Sequence, residues 1–398
     1  MHCKKASPMR ASISAVFLSF VVLAGCASPS LRGTGDLGVV IERGTGSVQI
    51  LDTTHRTSLG RVAGLGDLSH ASISYSRDER YAYVFGRDGG LTKVDILAQR
   101  IDRRIVQGGN SIGGAISPDG TLVAVANYEP GGVKVFDAND LSLVADIPAV
   151  GANGTRSKVV GLVDAPGHQF VFSLYDAGEI WVADMHDPKQ PVLHKFVNIG
   201  KEPYDGMITS DGRFYAAGLF GEDGVALLDL WNLDAGVKRA LVEFGRHGEK
   251  LPVYKMPHLE GWAATGNQVV LPAVGQHEVI IADQGTWKEI ARIPVAGQAV
   301  FAVARPDGRQ VWINFALPDN DTVQVLDLPS RRIVKTLKPG KGVLHLEFSP
   351  RGEQVWLSVR DENRIDIYDP DTFARIGTLP ADSPSGIFFS SRAHRIGL

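Results

Sequence analysis

Apolar and polar residues alternate along most of this chain, and one version of the alternation returns eight times. Apolar side chains at every second position run into an aspartate and then a polar turn. The copies are Val48-Gln-Ile-Leu-Asp52, Leu91-Thr-Lys-Val-Asp95, Val133-Lys-Val-Phe-Asp137, Ile180-Trp-Val-Ala-Asp184, Val225-Ala-Leu-Leu-Asp229, Val279-Ile-Ile-Ala-Asp283, Val323-Gln-Val-Leu-Asp327 and Ile365-Asp-Ile-Tyr-Asp369. A two-residue period points to strands, and almost no stretch carries helical spacing. Successive aspartates lie 43, 42, 47, 45, 54, 44 and 42 residues apart, the length of one four-stranded propeller blade.

A second motif falls between the copies, as in Ser117-Pro-Asp-Gly120, Arg305-Pro-Asp-Gly-Arg309 and Ser349-Pro-Arg-Gly352. Proline presets one turn dihedral and glycine or aspartate tolerates the next, so each copy marks a tight turn between two strands. Each unit therefore reads strand A, this turn, strand B, a loop, strand C ending in the aspartate, then strand D. The first unit has B, C and D (Gly38 to Glu42, Ser47 to Asp52, Thr57 to Ala63) but no A strand. The last segment, Pro384 to Ser391, reads as an A strand with nothing after it. The expected fold is all-β, an eight-bladed β-propeller closed by a blade shared between the two termini. The repeated aspartates are expected to be structural, capping the turns after strand C.

The N-terminus departs from this pattern. Lys4, Lys5 and Arg10 precede an apolar run from Ala15 to Ala24, too short to span a bilayer, and the run ends in Leu23-Ala24-Gly25-Cys26. This looks like a lipoprotein signal peptide, residues 1–25, removed before a lipidated Cys26. A linker over 26–35 and the propeller over 36–398 would follow. Ala27 in place of aspartate favours the outer membrane over the inner, so the expected location is the periplasm, tethered by lipid alone. Cys3 leaves with the signal, so no disulfide, cysteine metal site or cysteine nucleophile is expected in the mature chain. Maturation leaves 38 basic against 44 acidic residues, a net charge of −6, which argues against a nucleic-acid surface.

Propeller geometry turns sequence position into spatial position. D-to-A and B-to-C loops open on one face, around the central channel lined by A strands. His70 opens the A strand Leu68 to Tyr75, while Arg43, Arg87 and Arg360 lie in B-to-C loops. Arg156 and His258 lie in D-to-A connections or at the start of an A strand. Two imidazoles and four guanidiniums are thus expected at one mouth of an otherwise acidic protein. Guanidiniums grip carboxylates bidentately, so the mouth suits a polycarboxylate ligand, with histidine available for a metal or a proton. His258 also falls in the longest unit, where an insertion such as Arg246 to Lys255 can form a lid. His345 has the parity of a channel-lining position but reads as a core residue and receives no role. No phosphate-binding glycine loop or dinucleotide fingerprint is present, so no nucleotide cofactor is expected.

The segment from His70 to Gly89 is similar to the stretch of cytochrome cd1 nitrite reductase that carries a histidine ligand to haem d1 iron and an arginine for its carboxylates. Over essentially the whole chain the sequence resembles the NirF family of haem d1 biosynthesis. That resemblance implies His70 as the axial iron ligand, Arg87, with Arg43 and Arg156, as carboxylate anchors, and His258 as a distal-pocket histidine. The reductase's second distal histidine falls near Val295 to Val303, which contains none. The chain also lacks a Cys-x-x-Cys-His haem c site. The implied activity is therefore a late periplasmic step, a dihydro-haem d1 dehydrogenase that oxidises the propionate of bound dihydro-haem d1 to the acrylate of haem d1. The implied partners are cytochrome cd1 nitrite reductase, other haem d1 maturation proteins and an external electron acceptor. His258, Tyr204 and Glu129 are the candidates for the base. A non-catalytic haem d1 carrier is the alternative.

Overall fold

The computed structural model describes residues 32–244, 261–273 and 275–397. Eight antiparallel four-stranded sheets follow one another along it, each ordered D-C-B-A. Seven are contiguous in sequence. The eighth, here blade 1, joins Leu37–Glu42, Ser47–Asp52 and Thr57–Ala63 to Pro384–Phe389, which pairs with the first of them through Val39 opposite Phe388. The shared-terminus closure is thus as expected, and blades 2 to 8 follow in chain order.

Position in the blade decides how a strand reads. Strands B and C are sandwiched between neighbouring blades and are buried on both faces; Ser47–Asp52 is buried at all six positions, Gln49 included. Outer D strands keep the alternation, as in Arg375–Pro380. A polar side chain inside a sandwiched strand must find partners. Lys93, 3% exposed, donates from Nζ to the Asn139 carbonyl at 2.8 Å and lies 4.2 Å from the Tyr81 ring centroid.

Every repeated aspartate caps the turn after its C strand. Backbone N–H groups of His55, Ala98, Asn139, His186, Trp231, Thr286, Ser330 and Asp371 donate to the carboxylates of Asp52, Asp95, Asp137, Asp184, Asp229, Asp283, Asp327 and Asp369, all within 2.7–3.0 Å. Hydrogen bonds to the ionised form hold several of these carboxyls below the ordinary range: from Arg213 for Asp229, Thr286 for Asp283 and Ser330 for Asp327. A depressed folded-state pKa contributes stability above the unfolded value, and that stability is lost as pH falls through the folded value. The melting temperature should therefore hold from neutrality down to about pH 4 and fall below it. Asp229→Asn should shrink that acid drop in a pH series of thermal melts.

The C-terminal segment corrects one expectation. Strand A of blade 1 ends at Phe389, and Ser390–His394 continues as a 3-10 turn across the channel, on the face of the A-to-B turns. Arg77 donates to the Ala393 carbonyl at 2.7 Å and to Asp164 Oδ2 at 2.8 Å, and the Gly397 N–H donates to Asp164 Oδ1 at 2.8 Å. Arg392 grips Glu347 through two bonds of 3.0 and 2.8 Å. Burial pushes the Asp164 carboxyl up against the pull of Arg77. The tail floors the channel at that face.

Candidate functional site at the open mouth

The A strands do not run straight to the mouth. Six of the eight A-to-B pairings slip register near it: between Val40 and Glu42 opposite Pro384–Phe389, and at Ser111/Gly113, Val160/Val163, Tyr204/Met207, Ala299/Phe301 and Val343/Leu346. An extra residue in one strand bends it and re-aims its side chains. Residues released this way, among them Gly161, Asp205 and His345, line an open cavity of about 220 Å³ together with Arg43, His70 and Phe301.

His70 sits in the wall as expected, although its strand begins two residues later, at Ser72. Arg43, in the B-to-C turn of blade 1, hydrogen-bonds the Ser69 carbonyl through its guanidinium. Burial lowers its pKa first, and the charges of Arg360 and Arg87 lower it further, against Asp67. Hydrogen bonds from Ser69, helped by Arg87 and Arg43, hold the Asp67 carboxyl low. Arg87 is exposed, and its backbone N–H donates to the Asp67 carbonyl at 2.8 Å. Arg43, Arg87 and Arg360 therefore share one electrostatic neighbourhood, with Asp67 as an acid among them. An added carboxylate would relieve their mutual repulsion.

Other expected residues stand apart. Arg156 is exposed, donates to the Pro130 carbonyl at 2.9 Å and is outside the cavity wall, as is Glu129. His258, Cys26 and the Arg246 to Lys255 insertion lie outside the described residues. Among the described residues no three His, Cys, Asp or Glu side chains converge as a metal cage. A single histidine serving an iron already held by a tetrapyrrole needs none.

The Cytochrome D1 heme domain model matches residues 32–393. The chain belongs to that family. It is 63% identical over 384 residues to Protein NirF of Pseudomonas aeruginosa, covering 96% of this chain and 98% of the relative. It is 30% identical over 360 residues to the Dihydro-heme d1 dehydrogenase of the same organism, covering 88% of this chain and 70% of the relative. Among solved structures, dihydro-heme d1 dehydrogenase NirN in complex with DHE superposes with a TM-score of 0.80 at 27% identity, over 92% of this chain and 78% of that one.

This member of the family also lines its cavity with residues that sequence reasoning passed over. Phe301 lies in the segment where the nitrite reductase resemblance places a second histidine. Its ring stands edge-on to His345 at 4.9 Å between centroids, and Phe388 flanks the same imidazole at 5.4 Å. His345 had the parity of a lining position, a signal that pointed to it; Asp205 had none. Tyr204 is hydrogen-bonded to Tyr128 and stacks edge-on against Tyr175 at 6.2 Å. Burial pushes the Tyr204 and Tyr128 phenols up, so both stay protonated.

Proposed function

We propose that this mouth binds dihydro-haem d1 and oxidises its propionate side chain to the acrylate of haem d1. The observation that carries the reading is His70 and Arg43 together in the wall of the channel mouth, with the charges of Arg87 and Arg360 near enough to Arg43 to repel it. That donor set fits a tetrapyrrole acid: an imidazole for iron and guanidiniums for ring carboxylates. The likeness to a dehydrogenase solved with DHE supports it. The distal role that the resemblance implies for His258 is kept in this reading, whereas Arg156, outside the cavity wall, would reach a carboxylate only at the rim. Lipidation of Cys26 would hold the protein at the periplasmic side of a membrane, where cytochrome cd1 nitrite reductase or another maturation protein receives the product.

The residues supply binding, orientation and proton transfer. The arginines fix the carboxylates, and His70 fixes the iron. Removing two hydrogens from the side chain sends two electrons through the conjugated ring to an external one-electron acceptor, in two equivalents, and two protons to bases or water. The missing Cys-x-x-Cys-His motif favours a second reading, a carrier that holds the tetrapyrrole without oxidising it. Both readings require binding, so the test is turnover: purified protein, dihydro-haem d1 and ferricyanide, with the product followed by its absorbance and mass. His70→Ala serves as the arm that removes the iron ligand.

A further inference from the structure

Resting on that reading, we propose that Asp205 is the catalytic base that takes a proton from the side chain being oxidised. Six titratable residues line the cavity among the described residues: Arg43, His70, Tyr204, Asp205, His345 and Arg392. The two guanidiniums are permanent donors, and Arg392 is already clamped to Glu347. Tyr204 stays protonated. His70 is committed to iron. The ring of His345 is wedged between Phe301 and Phe388, and its Nδ1 accepts the Ile387 N–H at 3.2 Å, which leaves the neutral ring's proton on Nε2. The carboxylate of Asp205 is the wall group whose chemistry is to accept.

The backbone holds it there. Asp205 occupies the bulge of its A strand, in the left-handed region at φ 53°. The neighbouring A strand bulges beside it at Gly161, also left-handed at φ 58°. A Cβ on Gly161 would lie 2.4 Å from the Asp205 carbonyl carbon, so the two bulges fit only because that residue is glycine. Tyr215 ties the pair by donating from its hydroxyl to the Gly161 carbonyl at 2.8 Å. The bulge carries the carboxylate with it: the Gly206 N–H donates to Asp205 Oδ1 at 3.0 Å, and Ser173 meets the Tyr215 hydroxyl at 2.9 Å, so Gly161, Gly206, Tyr215 and Ser173 together fix its place in the wall.

In the step, a C–H bond of the CH2–CH2 unit breaks and its proton passes to an Asp205 oxygen. The second C–H proton goes to water at the open mouth. The electron pairs of the two broken bonds supply the new C=C bond and the two electrons that leave through the ring to two equivalents of ferricyanide.

The test compares wild type, Asp205→Asn and Asp205→Glu with dihydro-haem d1 and ferricyanide. Asp205→Asn should bind the ligand with wild-type affinity and an unchanged iron spectrum, while turnover falls by about 10²- to 10⁴-fold. Asp205→Glu should recover part of the rate. A substrate deuterated on the side chain should show a larger isotope effect in Asp205→Asn than in wild type. Turnover of Asp205→Asn within a few-fold of wild type overturns the proposal, as does a loss carried by KM with kcat intact. Both results leave the dehydrogenase reading standing. Wild type that binds the ligand without oxidising it overturns that reading, and the role of Asp205 falls with it.

Discussion

A chain ending at Ser383 is expected to give no cooperatively folded protein. Such a chain lacks strand A of blade 1, and with it Ile387, Phe388 and Phe389, which are 0%, 5% and 0% exposed. Burying three such side chains stabilises by roughly 5–9 kcal/mol in total. Whole domains are stable by only about 5–15 kcal/mol. The truncation also opens the ring, exposing the edge of Leu37–Glu42, and takes from Glu347 its Arg392 partner and from Asp164 the Gly397 N–H. Circular dichroism and thermal melts would show the loss. A synthetic peptide of residues 384–397 added in trans should restore part of the transition, because what is missing is one strand and its plug.

Arg43→Ala should weaken binding of dihydro-haem d1 by about 10- to 150-fold, the equivalent of one charge-assisted hydrogen bond of roughly 1.5–3 kcal/mol. Its fold should not suffer. Arg43 is a half-buried cation beside Arg87 and Arg360, so its removal relieves repulsion in the free protein. Ligand affinity and stability should therefore move in opposite directions, which separates an anchor from a structural residue. Arg87→Ala should cost less, since that side chain is exposed and competes with water. Spectrophotometric titration at fixed ionic strength measures both, with melts run in parallel.

The fold was legible because it rests on what a sequence displays well. Eight aspartates mark eight turns, and each bonds the backbone as the repeat suggested. Half-units at both ends told of the closing blade. The site was legible in its loop residues, because B-to-C and D-to-A loops must share a face; His70 and Arg43 follow from topology alone. Its wall was not. Bulges break the two-residue period at the positions where A strands turn into the cavity, so parity could not place Asp205, and it left His345 ambiguous between core and channel. The floor was missed for another reason. Ser390–His394 follows a strand that looked terminal, and its role depends on Asp164 and Glu347, far away in sequence.

The most direct measurement is a single-turnover experiment under anaerobic conditions with protein in excess over dihydro-haem d1, started by adding ferricyanide. A dehydrogenase predicts a product lighter by two hydrogens, two equivalents of ferricyanide consumed per ligand, and a rate that requires the protein and collapses in His70→Ala. Ligand that binds tightly and is recovered with its propionate intact, at no more than the protein-free rate of oxidation, would contradict the account and leave a carrier.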